Sequence, residues 1–167
     1  VLRDKNLVPL SRQHHNALAL CVRILRAIES GEVDLKAWQG EIRQEFEQEV
    51  SSHFEAEESV LFVEAARFQE LQPLVRTLLG QHSVLRGYFS KAANGDLTAG
   101  DLKVFAEILS SHIRTEERDL FESCQRLMAA AQLASLGGKL NDALESLEGR
   151  QCSIPSPATR LRPKRRP

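Results

Sequence analysis

Two histidines of this chain are each followed, four residues later, by a glutamate: His53 by Glu57 and His112 by Glu116. Four residues is just over one turn of an α-helix, so each pair shares a helix face and its two side chains can reach one ion together. The remaining histidines, His14, His15 and His82, fall in two further segments of helical periodicity. Imidazoles and carboxylates turned into an apolar interior are costly without partners. A chain that places them on four helices is therefore constrained to bring those helices together around a shared charge.

The apolar pattern supports helices throughout and no alternating strands. Pro9-Leu10-Ser11 opens a first helix with Ser11 as its N-cap; Leu18, Cys21, Leu25 and Ile28 form its stripe and Gly31 ends it. Asp34 caps a second helix that runs to about Arg67, through Trp38, Ile42, Phe46, Val50, Phe54, Leu61 and Phe62, with Gly40 a point of bending. A third starts near Pro73 and stops at Asn94-Gly95. Thr98 and Asp101 form a capping box for a fourth, which reaches about Leu127. Gln132 to Leu147 is a short fifth amphipathic stretch, weakened or broken by Gly137-Gly138. Short connections between long helices imply antiparallel neighbours. The expected fold is all-α: an up-down-up-down four-helix bundle over 8–149 with a short fifth helix, followed by a disordered basic tail over 150–167. In that arrangement the His and His/Glu positions of all four bundle helices fall at similar heights.

Charge is divided unevenly. Residues 150–167 hold six of the 22 Lys and Arg and none of the 23 Asp and Glu, so the body is acidic. An acidic body disfavours nucleic acid, leaving only the tail to bind it. No apolar run is long enough for a membrane span. Val1 to Leu10 is too polar for a secretory signal, and without an initial Met the first residues of the gene product are expected to be missing from this sequence. Cys21, Cys124 and Cys152 are odd in number and form no Cys-x-x-Cys, which suits reduced thiols in the cytoplasm. Cys21 and Cys124 read as small buried residues, Tyr88 as a packing residue, and Glu55, Glu58 and Glu117 as solvated charges.

The ligand set predicted for a metal is His15, His53, Glu57, His82, His112 and Glu116. On the first helix His15 shares with His82 a leucine three residues on (Leu18 and Leu85), whereas His14 lies closer to the apolar stripe; His15 is favoured and His14 is the alternative. Four imidazoles and two carboxylates exceed the needs of a structural zinc and are too rich in nitrogen for magnesium or calcium. Mixed His/Glu sets inside bundles suit a di-iron or di-manganese centre with bridging carboxylates. Four terminal imidazoles and two bridging carboxylates make eight bonds. Two octahedral ions need twelve, so positions stay open for a small molecule.

At these residues the chain resembles the hemerythrin-like, or HHE, cation-binding family. The likeness rests on His14-His15 in the first helix, His53-Phe54-Glu55-Ala56-Glu57-Glu58 before Leu61-Phe62, Gln81-His82 in the third, and His112-Ile113-Arg114-Thr115-Glu116-Glu117 before Leu120-Phe121. The resemblance implies a non-haem centre of two iron ions. It also implies binding of dioxygen, nitric oxide or peroxide, for sensing, storage or detoxification, with an unidentified redox or protein partner. An oxidase or peroxidase-like enzyme and an iron-dependent regulatory module are the alternatives. Oxygen-carrying members place a second histidine where this chain has Arg86, which argues against simple reversible carriage.

Overall fold

A computed structural model describes residues 2–151, among which there are helices and no strands. Helix α1 is Val8–Ser30. Helix α2 spans 35–65 without a break, α3 is Gln72–Asn94, α4 spans 99–127, and α5 is Ala130–Gln151. Each of the first four packs against its chain neighbours, and α1 closes the set against α4.

Most ends follow from local chemistry. Gly31 and Gly95 adopt left-handed φ of 73° and 80° and stop α1 and α3. The Asp34 carboxylate accepts from the Ala37 backbone N–H, and Thr98 with Asp101 forms the reciprocal capping box of α4. The start of α1 departs from expectation. It begins at Val8 with Leu7 in the cap position, so Ser11 lies inside the helix. Leu7 and Leu10 are fully buried, and burying two leucines, about 1.5–3 kcal/mol each, outweighs the roughly 1 kcal/mol of a serine cap.

Helices α2 and α4 contain wider π-type turns at Phe46–Val50, Glu57–Leu61 and Glu116–Leu120. In a regular helix, five residues carry a side chain about 140° round the axis. The wider turns bring Phe62 back toward the face of Glu57, and Phe121 toward that of Glu116; all four side chains are buried. Gly40 lies inside the regular α-helical stretch Leu35–Glu45.

Two apolar clusters form the core. One holds Leu10, Leu61, Phe62, Leu78, Leu120 and Phe121. The other holds Ala17, Phe54, Leu85, Phe89, Phe105, Leu109 and Ile113. His14 lies in sequence between Leu10 and Ala17, and His82 between Leu78 and Leu85, so the buried polar residues form a layer between the two clusters.

Helix α5 runs unbroken through Gly137-Gly138, contrary to the sequence expectation. Leu133, Leu136, Leu140 and Leu144 are buried on one of its faces, which exceeds the roughly 1 kcal/mol that each glycine costs. Gly137 is required where it stands: a Cβ there would come within 2.6 Å of the Asn6 Cβ. The tail expected over 150–167 lies almost entirely outside the described residues. No described helix is long and apolar enough to cross a membrane.

Candidate metal centre

The layer between the two apolar clusters contains His14, His53, Glu57, His82, His112 and Glu116, all buried, with both glutamates at 0% exposure. His15 is exposed and belongs to neither ligand group. Of the two adjacent histidines, the structure places His14, the alternative, in the buried layer and the expected His15 outside it. The inward face of α1 runs through Leu10, His14, Ala17, Cys21 and Ile24, while Leu18, Leu25 and Ile28 sit at its margin. The small side chain of Ala17 hides this face from a reading weighted toward large residues.

The six side chains form two groups: His14, His53, Glu57 and Glu116, and His82, His112, Glu57 and Glu116. Both carboxylates belong to both groups. Glu57 has one oxygen 3.0 Å from His53 Nε2 and the other 3.4 Å from His82 Nε2. A Glu116 oxygen lies 3.2 Å from the Nε2 atoms of His14 and His112. Within each histidine pair the two Nε2 atoms are 3.0 Å apart.

The outer ring nitrogens fix the tautomers. His14 Nδ1–H donates to Glu117 Oε1 at 2.7 Å, and His82 Nδ1–H to Glu58 Oε1 at 2.7 Å. His53 and His112 pair in the same way with the side-chain oxygens of Gln13 and Gln81, at 2.8 and 2.9 Å. An imidazole that donates from Nδ1 turns the lone pair of Nε2 inward. Carboxylate or carbonyl partners on the far nitrogen are the usual support of metal-binding histidines.

These atoms fit a bound metal cation. All four oxygens of Glu57 and Glu116 are buried without a hydrogen-bond donor, a cost that a bound cation removes. Paired inward lone pairs at 3.0 Å would repel without a positive charge between them. That spacing suits two neighbouring ligands of an octahedral ion, because bonds of about 2.1 Å at right angles put donors about 3.0 Å apart. When no metal is bound, protons supply the charge. Burial would lower the pKa of His14, but Glu116, Glu117 and Glu57 outweigh it and hold it well above 6.5. Burial would raise Glu57, but His53, His14 and His82 hold it well below 4.5. Burial and the neighbouring Glu57 would raise Glu116, yet His112 and His14 leave it lowered.

The site is close to two-fold in sequence as well as in space. Gln13-His14 on α1 corresponds to Gln81-His82 on α3. His53, Glu57, Glu58, Leu61 and Phe62 on α2 correspond to His112, Glu116, Glu117, Leu120 and Phe121 on α4. The repeated Gln-His dipeptide is the signal that selects His14 over His15. The repeated Glu-Glu-x-x-Leu-Phe string likewise marks Glu58 and Glu117, which are half-buried partners of histidine and not solvated charges. Arg86 does not approach the buried carboxylates; its guanidinium donates to Glu58 Oε1 at 2.6 Å. Cys21 and Cys124 are buried free thiols, and burial raises both, Cys124 to about 12, which disfavours the nucleophilic thiolate.

The model of the hemerythrin HHE cation binding domain matches residues 7–124, well over half of the chain. This chain belongs to that family. The matched stretch of the HHE domain includes every residue of both ligand groups, and it excludes the segment before Leu7 and helix α5. Comparison with curated proteins and with solved structures returned no match.

Proposed function

We propose that this HHE domain holds two iron ions between α1, α2, α3 and α4, with His14 and His53 on one, His82 and His112 on the other, and Glu57 and Glu116 bridging both. The sharing of both carboxylates by two histidine pairs is the observation that carries this reading. Consecutive helices that pack together support the up-down-up-down order. Four protein donors per ion leave open positions on an octahedral cation. Iron so held supplies redox chemistry toward dioxygen, nitric oxide or peroxide, and the role is to sense, store or detoxify these species.

A cavity of about 20 Å³ supports the small-ligand reading. It is lined by Ala17, Val50, Phe54, Leu109 and Ile113 and touches His14, His53 and His112. It has room for one water-sized molecule, and its apolar walls favour an uncharged guest. Arg86 is bound to Glu58, so neither histidine pair gains a third imidazole. This favours a second reading in which the centre turns over as an oxidase or peroxidase. A cytoplasmic setting suits the buried reduced thiols.

Protein loaded anaerobically with ferrous iron and then exposed to air tests the proposal by ultraviolet-visible absorption. New near-ultraviolet bands that persist after argon flushing are expected. A spectrum indifferent to air would overturn the redox role, and full recovery of the reduced spectrum over many cycles would make the protein a reversible carrier.

A further inference from the structure

Two arginines from distant parts of the chain form the same construction on opposite sides of the metal centre. Arg86, on α3, donates to Glu58 Oε1, and the same oxygen accepts from His82 Nδ1. The Arg86 guanidinium lies 5.4 Å from the centre of the Phe54 ring, which stacks on His82 with centroids 3.7 Å apart. Arg3, in the segment before α1, donates to Glu117 Oε2 at 2.7 Å, and Glu117 Oε1 accepts from His14 Nδ1. The Arg3 guanidinium lies 5.0 Å from the centre of the Phe121 ring, which stacks on His14 with centroids 5.5 Å apart. Each imidazole is thus fixed at its outer nitrogen by a carboxylate and on its face by a phenyl ring, and one guanidinium holds both.

The paired carboxylates Glu58 and Glu117 follow from the Glu-Glu-x-x-Leu-Phe repeat, but the rings and the arginines do not. Phe54 corresponds to Ile113 in the other half, and Phe121 to Phe62, which packs tilted on His82 with centroids 5.3 Å apart. The two guanidiniums and the rings beneath them thus reach equivalent carboxylates from non-equivalent positions. The two sides also differ. Arg3 donates in addition to the Glu117 backbone carbonyl at 2.6 Å and to Gln125 Oε1 at 3.0 Å, and it is 20% exposed against 41% for Arg86. Its segment is tied down by Gln125, which accepts from the Asp4 backbone N–H and donates to the Leu2 carbonyl. Arg3 precedes the matched family region, which begins at residue 7.

We infer that Arg3 and Arg86 are positioning residues for the two metal positions, and that through Arg3 the N-terminal segment controls the His14/His53 position. This rests on the two-ion reading above. Each arginine holds a carboxylate in place to accept from Nδ1, which keeps the Nε2 lone pair inward and the ligand basic.

The test uses the full chain with Arg3→Gln and Arg86→Gln, and Arg3→Lys as the conservative variant. Loss of one ferrous ion to a chelator should accelerate about 10–100-fold in each Gln variant while the other ion leaves at the unaltered rate. In zinc-loaded protein, the His14 Nδ1–H proton resonance should shift or vanish in Arg3→Gln while that of His82 stays, with the reverse in Arg86→Gln. Arg3→Lys should recover part of the loss, because it keeps a charge on Glu117. Unaltered release and unaltered imidazole resonances in both Gln variants would overturn the inference. Equal loss of both ions together with a fall in helicity would overturn it too, by making the arginines merely structural. Unmodified protein that saturates with a single ion would refute the two-ion reading, and the two imidazole resonances would still decide the role of each arginine.

Discussion

Glu57 and Glu116 concentrate the electrostatic demand of the molecule, since all four of their oxygens are buried without a donor. Replacing either with Ala removes a ligand from both groups, so iron content should fall toward zero. Glu55→Ala, at an exposed position of the same helix, should leave it unchanged. Glu58→Gln and Glu117→Gln should weaken metal binding about 10–100-fold through the histidines they hold. Metal analysis of the five variants after dialysis checks the ranking. His14→Ala should lose metal and His15→Ala should keep it, and equal loss would contradict the assignment of α1. The same residues set a pH dependence. Metal-stripped protein gains stability from His14, whose folded pKa is raised; the gain is full below 6.5 and fades as pH rises through the folded value. Glu57 and Glu116 are lowered, so their gain is full above 4.5 and fades as pH falls through their folded values. The stripped form should therefore melt highest in the mildly acidic range between these limits and lose stability toward alkaline pH. Metal loading should reverse the alkaline trend, because cations displace those protons. Thermal melts of both forms from pH 5 to 9 are the measurement, and parallel curves would refute it.

At the level of elements, α5 gives a paired test of glycine. Gly137 faces Asn6, whereas Gly138 has open space around it. Gly137→Ala should destabilise by about 1–3 kcal/mol through overpacking, and Gly138→Ala should stabilise by up to about 1 kcal/mol. Denaturant melts that move in the same direction would show that the N-terminal segment does not press on α5. Sequence alone reveals the ends of α3 and α4 and the cap of α2, because Pro73, Gly95, Thr98, Asp101 and Asp34 act within one turn of themselves. His53, Glu57, His112 and Glu116 are legible for the same reason. Choosing between His14 and His15 depends on which face of α1 meets α4, a tertiary fact that the small Ala17 conceals. The wider turns after Glu57 and Glu116 have no residue signature beyond the repeated Leu-Phe pairs. The need for glycine at position 137 comes from Asn6, more than a hundred residues away in the chain.

The described residues form an all-helical fold with a polar layer between two apolar clusters, and stability should depend on what occupies that layer. Binding restricted to the folded state adds about 2.7 kcal/mol at a hundredfold excess over Kd, so loading with iron should raise the melting temperature. Every proposed ligand lies between His14 and Glu116, and truncation after residue 151 should leave metal content and helicity unchanged; loss of metal would make the tail part of the site. Arg3 and Arg86 extend the site outward, one of them beyond the matched family region. The central claim is that two cations share Glu57 and Glu116. An anaerobic ferrous titration followed by metal analysis tests it most directly. The account predicts saturation at two irons per chain, falling to none in the Glu57→Ala, Glu116→Ala double variant. Saturation at one iron, or a single tightly held zinc with no uptake of iron, would contradict it.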